Sequence, residues 1–176
     1  LHLKKFINRD AELYPNLQQL IVPDDGLEHA LTIISKVIDA KGNIRNNASV
    51  ELGKLLSEIG KLETRSRSIA RHVFNGLKSQ GITGETDITI RDGRLVVPVI
   101  AEHKKKVQGF LKDVSATGKI LYIEPAESVE INNLLAEKIH LKNVEIERIL
   151  RALTAELRPY KNVLMAMLDG LNDFDA

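Results

Sequence analysis

Ile88-Thr89-Ile90-Arg91-Asp92-Gly93-Arg94-Leu95-Val96-Val97-Pro98-Val99 switches the chain from helical to strand periodicity. Ile88 and Ile90 alternate with Thr89 and Arg91, the period-two pattern of a half-buried strand. Asp92-Gly93 marks a two-residue hairpin, because both positions tolerate positive φ. Leu95 to Ile100 is a valine-rich run whose Pro98 predicts an edge strand or a bulge. A second pair of strands is expected over 107–114 and 119–123, around the turn Ser115-Ala116-Thr117-Gly118, before Ile123-Glu124-Pro125 closes the block. Phe110 and Tyr122 are expected to fill a small core under the hairpins.

Helical patterns lie on both sides. Upstream, Leu52, Leu55, Ile59, Leu62, Ser66, Ile69 and Val73 alternate three and four residues apart. That is a heptad seam with one polar member, in a helix predicted from about Ser49 to Leu77 and roughly 40 Å long. Gly76, Gly81 and Gly84 are expected to end it. Downstream, Glu124-Pro125 is expected to open a helix, with Glu127 and Glu130 near the positive end of its dipole. Its apolar positions from Ile131 to Leu157 spread past one face, which implies more than one neighbour, and Pro159 predicts a break. Shorter helices are predicted over Leu13 to Val22 and Asp25 to Ile38. Asp24 or Asp25 caps the second, and Leu27, Ala30, Leu31, Ile34 and Ile38 form its stripe. Ala40-Lys41-Gly42-Asn43 reads as a turn.

The fold class expected is mainly α with a small β insertion: a long antiparallel, coiled-coil-like helical lever carrying a β-hairpin clamp at its tip. The corresponding divisions are a helical core segment over 1–46, an outgoing lever helix over 47–80, a β clamp tip over 81–125 and a return lever helix over 126–176. The 176 residues are 43% hydrophobic, 28% charged and 4% aromatic, without Trp or Cys. This excludes disulfide frameworks, thiolate metal sites and cysteine nucleophiles. A net charge of +1 provides no global field for nucleic acid, so any such surface must be local. No apolar run is long enough to span a bilayer. Because the chain opens on Leu1 and stops just after a helical pattern, it is expected to be a piece of a larger protein.

Four segments resemble the middle region of the bacterial MutS-two family, MutS paralogues that usually end in a small MutS-related nuclease domain. They are Ile38-Asp39-Ala40-Lys41-Gly42-Asn43-Ile44 with Ala48-Ser49-Val50-Glu51-Leu52; Ile90 to Val99; Asp113-Val114-Ser115-Ala116-Thr117-Gly118 with Ile123-Glu124-Pro125; and Val129 to Leu134 with Glu145 to Leu150. The resemblance implies part of the family's helical core and lever with the clamp. It also implies a cytoplasmic, ATP-driven homodimer that closes on branched or duplex DNA, in mismatch repair or recombination suppression, or on stalled ribosomes and their rRNA. The full-length protein is then an ATPase with endonuclease activity, with ATP and Mg in a domain absent here. These residues contain no Gly-rich phosphate loop ending in Lys-Ser or Lys-Thr, so no cofactor is expected on them, nor any catalytic or metal-binding residue. The sequence departs from the family at Ala101-Glu102-His103-Lys104-Lys105-Lys106, where many relatives have an aromatic-Arg-Gly turn.

The candidate nucleic-acid-binding residues are Arg91, Arg94, Lys104, Lys105, Lys106, Lys112 and Lys119. Against them the block holds Asp92, Glu102, Asp113 and Glu124, leaving a local excess of three positive charges. Flexible cations on fixed turns suit phosphate contacts, and the scarcity of aromatics argues against stacking of unpaired bases. The structural alternatives are a solvated turn blunting an edge strand, or a protein-binding or dimerisation stalk without nucleic-acid contact. Glu124, Glu127 and Glu130 read as helix-start acids, and Asn132 and Asn133 as residues that bond to the clamp backbone or lie on the surface.

Overall fold

The computed structural model describes residues 26–175. The predicted helix over Leu13 to Val22 and the caps Asp24 and Asp25 lie outside the described residues. The remainder is mostly helical with one small four-stranded antiparallel sheet, as the periodicities require. The elements are α1 (Leu27–Val37), α2 (Val50–Ser79), β1 (Thr89–Arg91), β2 (Arg94–Ile100), β3 (Gly109–Val114), β4 (Ile120–Pro125), α3 (Ala126–Leu157) and α4 (Lys161–Asp175). They fall into two compact units, residues 26–49 with 146–175, and Val50–Glu145.

In the first unit α1 buries Leu27, Ala30 and Ile33. Its N-cap is Gly26, at φ 90° and with no side-chain cap. Asp39 then organises the predicted turn by accepting the Lys41 and Asn43 amides at 2.8 and 2.9 Å. The Pro159 break is a short 3₁₀ turn, Arg158–Tyr160, between α3 and α4. It sets the Tyr160 ring 5.6 Å from His29 and directly over Gly26.

In the second unit the sheet order is β1-β2-β4-β3. The Asp92-Gly93 hairpin forms as read, with φ values of 50° and 72° and Arg91 opposite Arg94. The expectation from Pro98 is refined. β2 lies between β1 and β4 in the sheet, but from Val97 on it is paired with β4 alone, and the bulge lies in β3, between Leu111 and Asp113. Alternate amides of β2 point towards the β1 side, and that of Ile100 donates to the Ile82 carbonyl at 2.9 Å. Pro98 belongs to the same alternation. It lies past the last β1 pair at Val96, so its missing N–H removes no ladder bond. The expected basic turn is also more than a turn. β2 and β3 are both antiparallel to β4, which lies between them, so residues 101–108 cross over the sheet with a 3₁₀ segment at Ala101–Lys106.

The core of this unit joins Val97, Val99, Leu121 and Ile123 of the sheet to Phe74, Leu77 and Ile82, with Ala101 and Val107 of the crossover against it. Phe110 is not in it: 59% exposed on the edge strand β3, it contradicts the expected role, and Phe74 supplies the aromatic instead. The α2 stripe also shifts. Leu52, Leu55, Ile59 and Ser66 are buried as the seam requires, but beyond Ser66 the fully buried positions are Ala70, Phe74 and Leu77, while Ile69 and Val73 are half-buried, Val73 against the core cluster. A straight helix drifts from a strict heptad by about 20° per repeat, and over three repeats that turns the next residue inward. α2 ends where the amides of Gly81 and Ile82 bond back to the Lys78 and Leu77 carbonyls, the paired bonds of a Schellman ending; Gly76 lies within the helix. β4 runs through Pro125, so the helix expected from Glu124-Pro125 begins at Ala126.

Gly109 faces Pro125 across the β3–β4 ladder. A Cβ there would overlap the Glu124 carbonyl and sit 2.7 Å from Ile123 Cγ2. Gly109→Ala is therefore expected to destabilise the protein by roughly 1–3 kcal/mol, the usual range for overpacking, measured as a lower urea midpoint at unchanged slope.

Candidate nucleic-acid interface

The seven candidate cations separate into two groups. Arg91 ends β1 and lies across Tyr122, its guanidinium 4.5 Å from the ring centroid, to reach Asp113 at 2.8 Å. Arg94 opens β2 and gives one Nη to Glu124 Oε1 at 2.8 Å and the other to Asn133 Oδ1 at 2.8 Å. Lys112 of β3 meets the second oxygen, Glu124 Oε2, at 3.1 Å. These three cations are engaged within the fold. Lys104, Lys105, Lys106 and Lys119 are exposed and carry no ion pair among the described residues. The first three follow one another on the 3₁₀ segment of the crossover. Lys119 lies beside its start, where the Ala101 amide donates to the Lys119 carbonyl at 2.9 Å. Ile100 pairs with Ile120, so the crossover begins beside Lys119, and it ends at the other end of β4, where the Ala126 amide donates to the Gln108 carbonyl.

Glu124 is the residue that sequence reasoning misplaced. It is a β4 residue, 1% exposed, not a helix-start acid. Besides Arg94 and Lys112 it accepts Asn132 Nδ2 of α3 at 2.9 Å. Asn132 in turn accepts the Ser66 hydroxyl of α2 at 2.6 Å. Asn132 and Asn133, expected to bond to the clamp backbone or lie on the surface, instead bond through side chains to Glu124, Ser66 and Arg94, and Asn133 does so at the surface. The polar member of the α2 seam is the far end of a buried chain running Ser66–Asn132–Glu124, with the two cations closing it. Burial by itself raises the Glu124 pKa, but hydrogen bonds from Asn132, Arg94 and Lys112 outweigh it and hold the carboxyl below its ordinary range. A second contact, Lys138 to Glu58 at 2.7 Å, links α3 to α2. The partners 66 with 132 and 58 with 138 run in opposite senses, so the two helices are antiparallel where they meet.

At the other side of the core, Arg71 holds Asp87 through both carboxylate oxygens, at 2.6 and 3.1 Å. The Arg71 bond, together with that from the Ile88 amide, lowers the Asp87 pKa. Among the described residues no group of three His, Asp or Glu side chains is placed to hold a metal ion, and no helix is long and apolar enough to cross a membrane.

No protein-family model matches the chain. Known proteins do. The chain is 36% identical to endonuclease MutS2 of Brevibacillus brevis over 166 residues, 94% of this chain and 21% of that protein. It is 40% identical to endonuclease MutS2 of Lactococcus lactis subsp. cremoris over 125 residues, 71% of this chain and 16% of the relative. It is 32% identical to the putative endonuclease MutS2 of Bacillus subtilis over 180 residues, 98% of this chain and 22% of the relative. The chain thus spans about a fifth of the length of these relatives.

Replacing Glu124 by Gln leaves Arg94 and Lys112 facing a neutral group. Breaking a buried pair from one side costs about 3–5 kcal/mol, and this loss is expected in urea unfolding at pH 7. The pH dependence has a definite sign. Because the folded-state pKa is lowered, the charged form stabilises the fold fully above the ordinary glutamate value, near pH ~4.3. That contribution is lost as pH falls through the lowered folded-state value. The stability gap between the parent and Glu124→Gln should narrow over that acid range and stay constant above it; a gap that does not narrow would remove Glu124 as its source.

Proposed function

Because the chain belongs to the MutS2 family, we propose that it is the lever-and-clamp segment of a MutS2 endonuclease and that its sheet contacts nucleic-acid phosphates without reading sequence. The observation that carries this reading is the division of the cations. Arg91 is paired with Asp113, and Arg94 and Lys112 share Glu124, whereas Lys104, Lys105 and Lys106 on the crossover and Lys119 in the β3–β4 turn are exposed and have no carboxylate partner among the described residues. A flexible, hydrated ammonium on a fixed backbone is suited to phosphate as a point charge. The relatives' name, endonuclease, supports a nucleic-acid partner. The antiparallel contacts between α2 and α3 support the lever. In this reading the full-length protein is a homodimer, ATP and Mg belong to other parts of it, and the clamp closes on DNA or on the rRNA of stalled ribosomes.

One observation favours a protein-binding surface instead. The edge strand β3 exposes Phe110, Leu111 and Val114, and apolar side chains beside unpaired backbone groups suit a protein contact.

Binding of the full-length protein to branched DNA, plain duplex and ribosomes across a salt series separates the two. With Lys104, Lys105 and Lys106 all changed to Ala, binding to the true ligand is expected to weaken. The slope of log K against log salt should become shallower by about 0.9 for each duplex-DNA phosphate that the variant no longer neutralises. Unchanged slopes with all three ligands would leave the β3 protein contact as the better reading.

A further inference from the structure

β3 is the longer edge of the sheet; β1, the other edge, has three residues and offers little to pair with. Along an antiparallel ladder, residues whose amides and carbonyls face the neighbour alternate with residues whose groups face away. The phase on β3 is set at its start, where the Gln108 carbonyl accepts the Ala126 amide. Gln108 and Phe110 therefore turn their main-chain groups to β4, and Gly109 and Leu111 turn theirs outward. Past the bulge, the Asp113 carboxylate accepts the Val114 amide at 2.8 Å and covers it. The open stretch is thus Gly109 to Leu111. Proteins commonly blunt such an edge with charged side chains. Here the two charged residues of β3 are engaged across the sheet, Lys112 with Glu124 and Asp113 with Arg91. The open stretch is instead apolar on both faces. Phe110 is exposed on the face of its partner Glu124, and Leu111 on the face of the core residue Ile123.

Charge identifies the occupant. Lys104, Lys105 and Lys106 are exposed and have no ion pair among the described residues. Lys106 stands three residues ahead of Gly109, at most about 11 Å along the chain. Glu102, the acid of the crossover, precedes the lysines and is farther from β3 in sequence. An incoming strand therefore meets unbalanced positive charge where the edge begins. We propose that the edge from Gly109 to Leu111 takes an extended segment of a partner protein as a fifth strand. That segment is apolar where it meets Phe110 and Leu111 and acidic beside them, where its carboxylates reach Lys104 to Lys106. Main-chain bonds to Gly109 and Leu111 supply the affinity, and the side chains around them supply the selectivity. This inference rests on the β3 protein contact and not on the phosphate contact of the crossover.

The probe is a fluorescent synthetic peptide of alternating valine and threonine with glutamates at both ends, titrated by anisotropy into the full-length protein. The same peptide with lysines at both ends should bind about ten-fold more weakly, since like charges then face each other. Changing Lys104, Lys105 and Lys106 to Ala should remove most of that difference. Leu111→Pro deletes the outward amide and spares the ladder to β4, as Pro98 does in β2, and should abolish binding. Leu111→Ala keeps the amide and should only weaken it. N-methylation of alternate peptide amides makes the same test without touching the fold: one alternation should abolish binding and the other should not. Equal binding by the Pro and Ala variants, or by both methylated peptides, overturns the strand pairing. Equal binding of the acidic and basic peptides overturns the acidic partner. Absence of binding by the acidic peptide overturns the proposal altogether, and a self-association of the parent that Leu111→Pro removes would then seat a second copy of the chain on the edge. The phosphate contact is read from salt slopes on DNA and ribosomes and this one from peptide binding, so either can fail alone.

Discussion

A carboxylate buried at the end of β4 is the constraint on which the second unit depends. Taking Glu124 out of water costs several kcal/mol unless its lone pairs are filled with good geometry. Both oxygens are filled, by residues from three different elements: Arg94 from β2, Lys112 from β3 and Asn132 from α3. Ser66 adds a fourth element, α2, through Asn132. An apolar residue at 124 would tolerate small shifts of any of these elements. A buried charge does not, because losing one donor leaves an unpaired group in a dry site. The network therefore ties the sheet and the two helices to one placement.

This explains which parts of the fold were legible in the residues. The hairpin at Asp92-Gly93, the strand block and the helices on either side were legible because each depends on local periodicity and turn chemistry. The order of the strands was not. Nothing local distinguishes a turn between neighbouring strands from a crossover above an intervening one, and residues 101–108 are short enough to be read as the former. Pro98 misled for a related reason: it forbids one amide bond, and β1 ends before that bond would be needed. Phe110 misled because aromatic content was used to place the core, whereas the core takes its aromatic from α2, through Phe74, at a position exposed only by following the drift of a straight helix past Ser66.

The site was legible in composition and not in pairing. All seven cations of the block were visible, but three of them balance carboxylates that are distant in sequence. Arg91 and Asp113 are separated by 22 residues, Arg94 and Glu124 by 30. Ser66 was visible as a polar break in an apolar seam, the kind of position that requires a buried partner. Its partner, Asn132, is 66 residues away and could be found only from the fold. Glu124 was masked by a plausible local explanation, since an acid before Pro125 and a helix satisfies the dipole rule without further help.

The pairing pattern also sorts cation types by physical fitness. Both arginines of the sheet are held internally, where a planar guanidinium can serve two acceptors or stack on Tyr122. Four of the five lysines of the block remain in water, where a strongly hydrated ammonium is least costly to keep. Lys112 is the exception, and it takes the second oxygen of a carboxylate already oriented by Arg94 and Asn132. The ion pairs fix the strands on either side of the crossover, and Lys104 to Lys106 are exposed on it. The proposed phosphate contact rests on that combination: anchored strands, and long cationic side chains that can follow a backbone whose geometry varies with sequence.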